Sequence, residues 1–169
     1  MMLGEVVLLL LSEGFYTGGE FRMMTKEKAL ENLASYCSAA EHCIWEVRQK
    51  LDRWEIPEND SKTMIAKLVK EGFIDERRYC RAYVNDKNRY NKWGSYKIRY
   101  ELEKRNIPGD IIQEALSSIQ PEENQERLRQ LLDAKRKSAK GKSVYEINQK
   151  LIRFAMSRGF SIDEINKVL

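Results

Sequence analysis

Three nine-residue segments of this chain align without a gap: Cys43-Ile-Trp-Glu-Val-Arg-Gln-Lys-Leu51, Gly94-Ser-Tyr-Lys-Ile-Arg-Tyr-Glu-Leu102 and Ser143-Val-Tyr-Glu-Ile-Asn-Gln-Lys-Leu151. In each, an aromatic residue (Trp45, Tyr96, Tyr145) is followed two positions on by a β-branched one (Val47, Ile98, Ile147), and four further on by leucine (Leu51, Leu102, Leu151). A spacing of four puts the last two on one face of a helix. The leucines stand 51 and then 49 residues apart, so a unit of about fifty residues recurs. Each unit reads as three helices with the signature on the middle one. A unit of that size cannot bury all its apolar surface alone, so neighbours must stack.

The rest of the sequence fits this plan. Nine glycines and three prolines in 169 residues leave few breakers, which predicts long helices and short turns. Thr25 caps a first helix with Ala29, Leu30 and Leu33 inward, and a second covers about Cys43 to Trp54. Ile56-Pro57 ends it. A third starts near Asn59 or Asp60, turns Met64, Ile65, Leu68 and Val69 inward, and stops at Gly72. The central unit has helices over about Asp75–Asn91, Ser95–Asn106 and Gly109–Ser118, and the last over Pro121–Lys137, Val144–Arg158 and a short one after Ser161. Ser143 with Glu146, and Ser161 with Glu164, have the spacing of capping boxes, whereas Cys43 is a poor cap. The expected fold is all-α: an N-terminal extension (1–24), then three-helix repeats over 25–73, 74–119 and 120–169, stacked into a curved, elongated array.

Residues 1–22 stand apart. Their apolar run, Val6 to Leu11, is far short of the about 20 residues a membrane span needs, and no basic region precedes it. It reads as a strand or part of a docked helix, in an appendage or even a start-codon artefact ahead of Met23 and Met24. Three cysteines (Cys37, Cys43, Cys80) without a CxxC pair suit a reduced, cytoplasmic setting. Cys37, His42 and Cys43 lie close together, but one histidine in the whole chain makes buried or half-buried thiols the better reading than a metal site. Phosphate loop, HExxH and a supported His-based triad are all missing, so neither catalysis nor a cofactor is expected.

Charge is segregated. Ten basic residues face five acidic ones between Asp75 and Arg105, against a net charge of +4 for the whole chain. On a helical wheel Arg77, Arg78, Arg81, Asn85, Asn88 and Arg89 share an outer face, with Tyr79, Ala82, Tyr83 and Tyr90 opposite. No acidic residue stands four positions after Arg77, Arg81 or Arg89, so the stripe is expected to be unpaired and to await an anionic partner. Lys92, Lys97 and Lys104 extend it, and Lys135, Arg136, Lys137, Lys140 and Lys142 are candidate phosphate contacts. A solvated helix face and an acidic protein patch are the alternatives. The aromatics Trp45, Tyr79, Tyr83, Tyr96 and Tyr145 are expected in the core rather than stacked on bases.

The ordered set of motifs resembles the RecX family of recombinase regulators. Its Gly-aromatic-aliphatic-Asp-Asp mark stands here as Gly72-Phe73-Ile74-Asp75-Glu76, followed by Arg77-Arg78-Tyr79-Cys80, Trp93-Gly94, Leu102 and Asn106-Ile107. Glu46-Val47-Arg48-Gln49-Lys50-Leu51 is similar to the family's Glu-Leu-x-x-Lys-Leu, and Arg158-Gly159-Phe160-Ser161 to its Arg-Gly-Phe-Ser ending. Glu76, Cys80 and Cys43 depart from the pattern, where the second Asp, an Ala and a Ser are usual. The resemblance covers about residues 25–169. It implies a non-enzymatic protein that binds the RecA recombinase and its filament on single-stranded DNA, inhibiting ATP hydrolysis, strand exchange and co-protease activity, as a monomer. It places the chain among regulators of DNA repair, recombination and the SOS response. A stand-alone helix-turn-helix DNA-binding module and a purely protein-binding helical scaffold remain the rival readings; the spread of basic residues over several helices counts against the first.

Overall fold

The computed structural model describes residues 24–169, and the readings made for residues 1–22 lie outside them. Among the described residues there are nine helices and no strand: α1 Lys26–Ala39, α2 Ile44–Arg53, α3 Glu58–Lys70, α4 Glu76–Arg89, α5 Ser95–Glu103, α6 Gly109–Leu116, α7 Pro121–Ser138, α8 Val144–Ser157 and α9 Ile162–Asn166. The broadest helix–helix contacts all fall inside the triplets α1–α3, α4–α6 and α7–α9. Each triplet encloses its own apolar cluster, built around Leu33, Leu51 and Leu68, around Val84, Ile98 and Leu102, and around Leu128, Leu132 and Leu151.

The repeated signature sits on α2, α5 and α8. Val47, Leu51, Ile98, Leu102 and Leu151 are fully buried, but Ile147 is only half-buried. The difference follows from what each helix meets. The starts of α2 and α5 are covered by the next unit, while Val144 and Tyr145 at the start of α8 are 73% and 72% exposed.

Helix ends close alike. In each signature helix the amide just after a left-handed position bonds back to a carbonyl in the last turn: Ile56 N–H to Leu51 O at 3.1 Å, Ile107 N–H to Leu102 O at 3.3 Å and Phe160 N–H to Ala155 O at 3.2 Å. The left-handed residues are Glu55, Asn106 and Gly159. This is the Schellman closure. It falls one turn later in the third unit, where α8 runs a turn past Leu151 and buries Ala155 as well.

The register of α4 differs from the wheel. Its buried face is Tyr79, Cys80, Val84 and Asn88; Ala82 is exposed and Tyr90 is 79% exposed. Asn88 turns inward because Asn124 of α7 offers it a partner, Nδ2 to Oδ1 at 2.9 Å. Val69 is likewise 44% exposed, since α3 buries the face of Ser61, Met64, Ile65 and Leu68. Ser61 satisfies its hydroxyl on Ile56 O at 3.2 Å.

Candidate functional site

Three of the four arginines of α4 are paired, against the expectation for Arg77 and Arg81. Arg77 bridges Glu114 and Asp110, the latter at 3.6 Å, and Arg81 reaches Glu114 at 3.5 Å. Arg78 donates from Nε to Glu41 at 2.6 Å and from Nη2 to Gly72 O at 3.1 Å. The carboxylates come from α6 and from the α1–α2 turn, more than thirty positions away in the chain, where i, i+4 reasoning does not look. Arg89 makes no ion pair among the described residues. Lys92 follows α4 in a left-handed conformation, φ 53°. The ammonium of Lys97 lies 4.5 Å from the Trp93 ring centre, and that of Lys104 lies 4.5 Å from the Tyr100 ring and 3.8 Å from Glu101.

The third unit is different. From Lys135 to Arg158 the chain carries Lys135, Arg136, Lys137, Lys140, Lys142, Lys150, Arg153 and Arg158 against one acid, Glu146. The Glu146 carboxylate is already taken by the Lys142 backbone N–H at 2.8 Å. None of the eight cations has a carboxylate within 4.0 Å among the described residues. Lys135 from α7 and Arg158 from the end of α8 meet instead on Phe154, at 5.2 and 5.3 Å from its ring centre. Sequence reading found the first five of these residues and missed Lys150, Arg153 and Arg158. A charge count over α8 would have exposed them.

Two joints hold these surfaces in place. Between the first and second units, Glu46 of α2 accepts from Tyr79 Oη at 2.8 Å, lies 2.7 Å from His42 Nδ1 and stands 3.8 Å from Arg105. Burial, first, and then the neighbouring charges of Cys43 and Glu46 push the Tyr79 phenol far up, so it stays a donor. Burial also pushes the Cys80 thiol up to about 12 and raises Cys37 and Cys43, which leaves all three free thiols poor nucleophiles. His42 stacks on Tyr36 at 3.6 Å, and no metal-holding cluster of His, Cys, Asp or Glu occurs among the described residues.

Between the second and third units the contact is backbone on backbone. Gly94 N–H donates to Arg158 O at 2.8 Å and Tyr96 N–H to Gly159 O at 3.1 Å. The free amides of the α5 start thus meet the free carbonyls of the α8 end. A Cβ on Gly94 would collide with the carbonyl of Gly159, and one on Gly159 with the backbone N of Lys97, so both positions require glycine. Beside them runs a satisfied polar chain: Arg127 Nη1 donates to Asn88 Oδ1 at 2.7 Å, Asn88 to Asn124, and Asn124 Nδ2 to Glu164 Oε1 at 2.7 Å.

The aromatics divide. Tyr79 is buried and Trp45 and Tyr83 half-buried, as expected for core packing, but Tyr96 is 66% exposed and Tyr145 72%. Tyr96 sits in the first turn of α5, beyond the glycine contact. With Tyr100 and Met156 it lines an open groove between α5 and the end of α8.

Family models match in two adjoining places: residues 75–116 match the second three-helix domain of RecX, and residues 122–169 the third. Among curated relatives, a regulatory protein RecX of Clostridium botulinum is 34% identical over 126 residues, covering 73% of this chain and 58% of the relative. One of Clostridium acetobutylicum is 37% identical over 132 residues, covering 73% and 59%. The chain thus spans less than two thirds of the length of these relatives. In fold, it is similar to a crystal structure of regulatory protein RecX at TM-score 0.78 and 22% identity, over 85% of this chain and 70% of the other. It is also similar to RecX from Lactobacillus salivarius at TM-score 0.73 and 25% identity, over 85% and 93%. The two model matches coincide with the second and third apolar cores and together span more than half of the chain, which therefore belongs to the RecX family.

Proposed function

We propose that this chain regulates a RecA-type recombinase by binding its filament on single-stranded DNA, lowering ATP hydrolysis, strand exchange and co-protease activity without catalysing a reaction itself. Family membership carries the reading, and the basic surface supports it. Eight cations without carboxylate partners among the described residues repel one another, and an anionic filament relieves that repulsion. In this reading Lys135, Arg136, Lys137, Lys140 and Lys142 meet DNA phosphates, while Arg89, Lys92, Lys97 and Lys104 belong to the surface facing the filament. Arg77, Arg78 and Arg81 contribute only by exchanging their present carboxylates for those of the partner. The units 25–73, 74–119 and 120–169 act as one strip, and the protein works as a monomer in the cytoplasm. No helix among the described residues is long and apolar enough to cross a membrane.

The deciding measurement is the DNA-dependent ATPase rate of the recombinase with and without this protein. Inhibition at stoichiometric amounts is the expected result, and its absence would overturn the reading.

A further inference from the structure

Tyr96 and Tyr100 stand one turn apart on α5 and form an exposed ridge with a groove on each side. One groove is walled by Met156 and Ser157 at the end of α8, the other by Gln113 and Leu116 of α6. Each contains a cation with no carboxylate within 4.0 Å among the described residues: Lys97 on the α8 side, and on the α6 side Arg99, which bonds to Gln113 instead. The carboxylate that lines the α8-side groove, Glu101, is already bridged by Arg105 at 3.4 Å and Lys104 at 3.8 Å.

The repeat shows what covers such a position. Trp45 stands in the first unit where Tyr96 stands in the second, and there the second unit packs against it, with Tyr83 in the same cluster and the Arg105 guanidinium 5.8 Å from its ring centre. Tyr96 has the same place on its helix and stays in water. Tyr100 departs from the repeat, since the corresponding residues are Gln49 and Gln149. The middle unit thus sets two aromatic rings side by side in solvent, beside the apolar wall of Met156, a patch that lacks its cover.

Resting on recombinase regulation as the function, we propose that this ridge receives an amphipathic helix of the recombinase. Aliphatic side chains three or four positions apart on that helix reach into the grooves, and acidic residues on its flanks meet Lys97 and Arg99. Rows of side chains on one helix fit the grooves beside a row on another. An extended segment finds no strand edge to pair with among the described residues, and its alternate side chains point away from the ridge. A nucleic-acid strand brings its phosphates to the groove that Glu101 lines.

The test places a photo-crosslinking phenylalanine analogue at Tyr96 of the full chain and maps its adducts on the recombinase filament by mass spectrometry. Adducts are expected on residues three or four apart in one recombinase helix that also carries Asp or Glu. Adducts on DNA, or on a second copy of this chain, would overturn the proposal. Tyr96→Ala with Tyr100→Ala should weaken filament binding at least about tenfold and leave affinity for bare oligo-dT within about twofold of the parent. Tyr96→Phe with Tyr100→Phe keeps the rings and should bind the filament as the parent does. Arg99→Glu, which reverses one flanking charge, should weaken filament binding and leave the fold intact by circular dichroism. An alanine pair that binds the filament like the parent would overturn the helix contact and leave the regulatory function standing. A parent chain that neither binds the filament nor lowers its ATPase rate would overturn both.

Discussion

The two joints of this molecule solve one problem by opposite chemistry. Each faces the bare N–H groups at the start of a signature helix that its own sequence leaves uncapped. At α2, where Cys43 offers no side-chain cap, the half-buried Glu76 carboxyl of the second unit lies close to the Ile44 backbone N–H without a hydrogen bond of ordinary geometry to it. At α5, where Gly94 offers none, the N–H groups are met by the backbone carbonyls of Arg158 and Gly159 in the third unit. Of the three signature helices only α8, whose start no described unit covers, carries its own cap, Ser143. A carboxylate joint is tunable by pH and salt. A backbone joint is not, but it tolerates no Cβ.

The largest expected effect is at the backbone joint. Gly159→Ala would place a methyl group against the backbone of Lys97 at a φ of 88°, and should cost about 2–4 kcal/mol from overpacking and left-handed strain together. Urea denaturation would measure it, and hydrogen exchange should show protection lost first at the Gly94 and Tyr96 amides. At the carboxylate joint, Glu46→Ala removes the acceptor for Tyr79 and should cost about 1–3 kcal/mol. Exchange loss confined to the first two units in that variant would show that the joints are independent. If loss spread to the third unit, the comparison would fail.

Smaller effects follow from exposed pairs. Arg77→Ala with Arg81→Ala should change stability by no more than about 1 kcal/mol, because both guanidinium groups are half-exposed and screened. Alanine at Lys135, Arg136 and Lys137 should weaken filament binding more than that pair does, which a salt titration of binding would reveal.

Adjacent carboxyls at the start of α4 give opposite pH signatures. Burial raises Glu76, so its contribution to stability is present below the ordinary glutamate range and lost as pH rises through its raised pKa. The backbone N–H groups of Arg78 and Arg77 lower Asp75, whose contribution is present above the ordinary aspartate range and lost as pH falls. Glu76→Gln removes the half-buried charge while keeping the side chain's size, and should raise stability at pH 7 by about 0.5 kcal/mol. A thermal melt at pH 7 and pH 4 would check it: the gain should shrink at the lower pH.

The periodic pattern alone determined the helices, their order and nearly all the repeated core positions, because burial of an apolar face every three or four residues is a local property of the chain. The helix stops at Gly72 and Gly159 and the capping box of Ser161 with Glu164 were legible for the same reason. The partners of the charges were not. Arg77, Arg81 and Arg78 find carboxylates on other helices, and Asn88 turns inward to meet Asn124, pairings set by how helices cross and not by sequence spacing. Tyr96 and Tyr145 repeat Trp45 in sequence yet stand in water, because only α2 has the second unit packed beside its aromatic. Sequence determines the buried face where apolar residues recur regularly; tertiary structure decides it for a polar helix such as α4, and decides what each face and the charges around it meet across the gap.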